Sequence, residues 1–105
     1  MKIYSYDLKS GSADQMSTEL RYVIATARAA GNELIAIKTD AEKSDKAKLS
    51  MIKLLKSIKS EGKIDFFADK EAFEKNSREA SYLINKFSGI TEFCSSENFS
   101  LIIKI

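Results

Sequence analysis

The sequence contains no histidine, no proline and a single cysteine. Each shortage narrows the chemistry open to it. Without histidine the chain lacks the commonest general base and the commonest metal ligand. With only Cys94 beside that gap, a tetrahedral zinc site is close to excluded. One cysteine forms no internal disulfide and fits a reducing cytoplasm. A magnesium site built from carboxylates alone stays open, and no cofactor is implied. Without proline no segment reads as a linker or a domain boundary. The longest apolar run falls far short of a membrane span, and MKIYSYDLKS does not read as a signal peptide.

What is present fits one globular domain. The 105 residues are 44% hydrophobic and 30% charged, enough for one core and not for two. The charge is unevenly placed. Between Lys43 and Lys63 seven lysines face only Asp45 and Glu61, a local net of +5 in a chain whose total is +2. Residues 65–97 carry seven acids against four bases. Such segregation points to where a partner binds more than to any reaction.

The lysine-rich stretch reads as an amphipathic helix. At about 100° per residue, Ala47, Met51, Leu54, Leu55 and Ile58 share one side, and Lys46, Lys48, Lys53, Lys56 and Lys59 spread over the other. Asp40 or Ser44 is its expected N-cap and Gly62 its stop. Ahead of it, Lys2–Leu8 reads as a strand. Ser12 with Gln15 has capping-box spacing, and Met16, Leu20, Val23, Ile24 and Ala27 recur at helical spacing up to Gly31. Glu33–Lys38 is a continuously apolar strand of the kind buried on both faces. Ile64–Phe67 is a third strand, and Phe99–Ile105 is the last.

Between those two strands, Lys70–Phe87 has a helical pattern with Phe73, Ser77, Ala80, Ile84 and Phe87 on one face. This makes an acidic helical insertion over about residues 68–90 of the single domain 1–105. The SSEN turn makes ITEFC a candidate hairpin partner for the last strand. Together these signals predict an α/β domain of two layers: a four-stranded mixed sheet, in the order β-α-β-α-β-α-β, with helices packed on it. Ile35, Ile37, Ile64, Phe66, Leu101 and Ile103 are expected to be buried.

Two segments carry a resemblance. YDLKSGSADQ ends the first strand and opens the first helix, and LLKSIKSEGKIDFF runs from the lysine helix into the third strand. They resemble stand-alone proteins of the small MutS-related (Smr) domain family. In that family a strand ends in an L-D-x-H-G motif, a second strand leads to a glycine-rich loop, and the second helix runs into an L-K-x-x-x-K-E-G-K-I-x-D-F pattern. The resemblance covers most of residues 2–67 and the last strand. It implies a fold similar to the C-terminal domain of bacterial initiation factor three. Family members nick DNA or cleave RNA. Here Asp7 stands at the motif's acid, Lys9 replaces its histidine and Ser10 its glycine, and no glycine occurs between Gly31 and Gly62. The resemblance therefore implies a degenerate member.

Each candidate residue has two readings. Asp7 is a metal ligand or base above the strand ends, or it bonds the amides of its own turn. Asp40 and Asp45 join it as a carboxylate cluster, or they cap and solvate. Lys9, Lys38, Lys43, Lys46 and Lys48 form a phosphate-binding edge for DNA or RNA, or a solvated helix face. Leu49 and Ile52 interrupt the lysine face. They mark a protein contact or a homodimer seam, or else Leu49 packs under the preceding loop and Ile52 sits exposed. Cys94, with no basic neighbour in sequence, reads as a buried inert thiol.

Overall fold

A computed structural model describes residues 2–9, 13–38, 45–97 and 99–105. Its elements follow the apolar patterning. They are β1 (Ile3–Asp7), α1 (Ala13–Ala29), β2 (Leu34–Lys38), α2 (Asp45–Ser60), β3 (Phe66–Asp69), α3 (Lys70–Glu74), α4 (Arg78–Lys86), α5 (Ile90–Glu97) and β4 (Leu101–Lys104). The strands form one mixed sheet in the order β1-β2-β4-β3. β1 runs parallel to β2, and β4 runs antiparallel to both β2 and β3. The last strand in sequence thus lies inside the sheet. Leu101, Ile102 and Ile103 are each fully buried, and only a central position covers a continuous apolar run on both faces. The outer strands are the more polar ones, with Ser5 and Asp7 in β1 and Asp69 in β3.

Helices cover both faces of this sheet. The fold is the expected four-stranded α/β domain, but it has three layers rather than two. On one face α1 and α2 bury Met16, Leu20, Val23, Ile24, Ala27, Met51, Leu55 and Ile58 against Ile35, Ile37, Leu101 and Ile103. On the other, Leu83, Phe87 and Ile90 cover Leu34, Ala36, Ala68 and Ile102. Alternate residues of each strand serve alternate layers, as the period of two requires. The acidic insertion is therefore the third layer.

Both long helices stop where expected. Gly31 has φ +78° and Gly62 φ +75°, a left-handed region that costs glycine nothing. At the first stop Asn32 N–H donates to the Ala27 carbonyl at 3.0 Å and Gly31 N–H to Arg28 at 3.0 Å, which is a Schellman closure. Lys63 and Gly62 repeat it on Ile58 and Lys59. The candidate caps before these helices, Ser12, Asp40 and Ser44, lie outside the described residues, as do the side chains of Asp45 and Ala47.

Three expectations are corrected. The helix over Lys70–Phe87 is two helices, because Asn76 takes φ +53° and Ser77 Oγ accepts from Ala80 N–H at 3.1 Å to start α4 afresh. The restart shifts the apolar phase, so Leu83 is buried and Ile84 is 40% exposed. ITEFC is no hairpin strand but the body of α5. Ile90, Phe93 and Cys94 fall at helical spacing and pack on the second layer. The third strand sits two residues later than expected. Ala68 takes the buried inward place, and half-buried Phe66 meets Tyr82 edge to face at 5.5 Å.

Candidate functional site

β1, β2 and β3 run in one direction, so Asp7, Lys38 and Asp69 end on one margin of the sheet. Asp7 lies opposite Lys38 in register. Lys9 follows Asp7, and Lys46 and Lys48 stand in the first turn of α2, which starts from the same margin. Lys48 is close enough to help hold the Glu71 carboxyl below its ordinary range, after the larger effect of the Lys75 hydrogen bond and charge. Lys43 and Asp40 lie outside the described residues. The described part of that margin thus holds Asp7, Lys9, Lys38, Lys46 and Lys48.

The basic surface does not stop there. Lys46, Lys53, Lys56 and Lys59 are exposed along α2, and among the described residues none has a carboxylate within ion-pair distance. From Lys46 to Lys59 the row spans about 20 Å at 1.5 Å per residue. Lys38, by contrast, is half-buried and engaged. The free positive charge is a stripe along the helix more than a cluster at the strand ends. Two contacts fix the helix beneath it. Arg21 of α1 pairs with Glu61 at 2.8 Å, and Arg28 Nη2 donates to the Lys63 carbonyl.

The β1–α1 turn is braced by a residue that the sequence did not flag. Glu19 Oε2 accepts from Tyr6 Oη at 2.6 Å and from Lys9 N–H at 3.1 Å. Glu19 thus braces the end of the strand, where Asp7 is an exposed carboxylate; the turn amides before Ser12, which the other reading gives to Asp7, lie outside the described residues. No local signal marks Glu19, because its place over Tyr6 depends on how α1 packs on β1. The hydrogen bond to Glu19, then burial, then the repulsion of its charge push the Tyr6 phenol up to about 12. The folded form thus holds the Tyr6 proton to higher pH than the free phenol at 10.0. The stability this adds is complete below pH 10.0 and is lost as pH rises through about 12. Glu19→Ala should return Tyr6 towards its ordinary value. Phenolate absorbance during alkaline titration checks this, and an unmoved Tyr6 would contradict it.

Leu49 does not pack under a loop; it is 62% exposed in the middle of the lysine row. Ile52 is half-buried on the flank shared with Lys48 and Lys59. Burial pushes the half-buried Cys94 thiol up to about 11, which keeps it protonated and unreactive near neutral pH. Among the described residues no group of three Asp, Glu, His or Cys side chains is arranged to hold a metal ion. Nor is any helix among them long and apolar enough to cross a membrane. No family model, curated protein or solved structure matches this chain. The residues themselves must therefore carry the functional reading.

Proposed function

We propose that the chain is a catalytically degenerate Smr-like domain. It binds the phosphate backbone of DNA or RNA weakly and without sequence preference. The supporting observation is the row of exposed lysines on α2, unpaired among the described residues and continued by Lys9 and Lys48 at the sheet margin. Phosphates need only flexible point charges, so lysines bind a backbone without a glycine loop. They carry no base information, because sequence is read by contacts to base edges. The strand–helix–strand–helix–strand order over residues 2–67, on which the resemblance rests, is consistent with this reading. Turnover is not expected. Phosphodiester cleavage needs a positioned base or metal and clustered donors, and Asp7 alone remains of the family's motif.

The test is binding of the whole chain to duplex and single-stranded DNA and to RNA over a salt series. Affinity should fall log-linearly with salt and change little with sequence, and magnesium should produce no cleavage. Affinity indifferent to salt would overturn the binding reading. Magnesium-dependent cleavage lost in Asp7→Asn would overturn the degenerate one and favour a residual nuclease. A second reading, a protein-interaction or homodimerisation module, rests on the exposure of Leu49 with Ile52 beside it. Under it Leu49→Ser with Ile52→Ser abolishes association and leaves the salt slope untouched.

A further inference from the structure

β1 lies at the edge of the sheet, and its hydrogen-bonding pattern decides which groups face outward. Leu34 N–H donates to the Lys2 carbonyl at 3.3 Å, and Leu8 N–H donates to the Lys38 carbonyl at 2.8 Å. Parallel strands bond through alternate residues. The even-numbered residues of β1 therefore turn their backbone groups to β2. Ile3, Ser5 and Asp7 direct N–H and C=O to the open side, where no described residue bonds them. Natural edges are usually blunted by proline, a bulge or a central charge. β1 reads IYSYD, with its one charge at the end. The opposite edge, β3, has four residues, and Asp69 at its end turns at once to cap α3 through Ala72 N–H at 2.8 Å.

The surface flanking this open edge is aromatic. Tyr4 and Tyr6 are half-buried on the α1 side of β1. Beside them on α1 stands Tyr22, at 69% the most exposed large apolar side chain among the described residues. It is near enough to Tyr6 to act on its ionisation. On the same side of α1, Asp14, Gln15, Thr18 and Glu19 line a shallow hollow with Tyr22. An exposed tyrosine beside an unpaired strand is a surface made to be covered.

We propose that a second copy of this chain covers it, with β1 pairing antiparallel to β1 about a two-fold axis through Ser5. The occupant follows from the edge's complementarity to itself. A two-fold axis perpendicular to a sheet pairs residues of equal parity. With Ser5 opposite the partner's Ser5, Ile3 falls opposite the partner's Asp7. Every outward N–H and C=O of Ile3, Ser5 and Asp7 then finds a partner, and no like charges meet. Registers centred on Tyr4 or Tyr6 leave some of these groups unpaired. On the α1 side the same register sets Tyr4 beside the partner's Tyr6. A two-stranded edge contact is marginal alone. Here each α1 lies over β1 and β2 together, so with strands about 4.8 Å apart the two helices come about 10 Å apart, a normal packing distance. Tyr22 then stands near the axis. The product is one eight-stranded sheet with both lysine rows on the same face. The dimer does not depend on those rows binding nucleic acid.

Sedimentation equilibrium of the full chain over a wide concentration range tests the proposal, together with amide hydrogen exchange. The mass should approach twice 11.7 kDa as concentration rises. The amides of Ile3, Ser5 and Asp7 should become protected in step with it. Ser5→Pro removes only an outward N–H, and Tyr22→Glu alters an exposed side chain; each should leave a monomer at concentrations where the native chain is dimeric. If Ser5→Pro fails to fold, Tyr22→Glu alone decides. A chain that stays monomeric throughout, or a dimer that survives Tyr22→Glu, would overturn the proposal. So would a dimer dissolved by Leu49→Ser and not by Tyr22→Glu, which would place the contact on α2.

Discussion

Ile102→Ala should destabilise the fold by about 3–5 kcal/mol, at the upper end for an isoleucine-to-alanine change in a core. Ile102 is fully buried in β4, between β2 and β3. Its cross-strand neighbours are Ala36 on one side and Ala68 on the other. It is therefore the one large side chain in its row of the sheet, beneath Leu83, Phe87 and Ile90. Truncation leaves a row of three alanines. Neither neighbour can move in to fill the space, and cavity cost rises with the volume left empty. Ile103, one residue on, faces the other layer between Ile35 and Phe67. Those bulky neighbours can relax towards a gap, so Ile103→Ala should cost less, about 2–3 kcal/mol. Urea unfolding measures both. The midpoints should fall in that order with the slope unchanged. An equal or reversed order would show that the two faces of β4 are not packed as described.

Replacing Lys46, Lys53 and Lys56 together by glutamine should shallow the salt dependence of nucleic-acid binding by about 2–3 units. Each phosphate contact contributes roughly 0.7–0.9 to that slope. At about 0.1 M salt the same loss is on the order of a hundredfold in affinity or more. The three lysines are exposed on the outward side of α2, away from Met51, Leu55 and Ile58, so thermal stability should stay within about 0.5 kcal/mol of the native value. Lys9→Gln tests the sheet margin separately and should remove about one unit or less. A triple variant with an unchanged slope would move the phosphate contacts off α2.

Much of this structure was legible in the sequence, for reasons of local chemistry. α1 and α2 declare themselves through an apolar stripe at helical spacing and a glycine that accepts positive φ at each end. β2 and β4 declare themselves as short, continuous apolar runs. The lysine row is legible too, since a helix with one apolar side must turn its other side outward. Periodicity reports which side of an element is apolar. It does not report what covers that side.

The remainder was decided by packing. ITEFC satisfies both a strand and a helix pattern over five residues, and it became α5 because Ile90 and Phe93 found the second face of the sheet uncovered. The break at Asn76 came from the same demand. Two short helices wrap a twisted face where one straight helix would leave it. β4 lies between β2 and β3 because a strand with no polar side gains most from neighbours on both edges. Its insertion leaves β1 outermost, with the groups of Ile3, Ser5 and Asp7 facing outward. The residues of an edge are written in the chain. That they form an edge depends on contacts between segments far apart in sequence, whose free energy no local stretch contains.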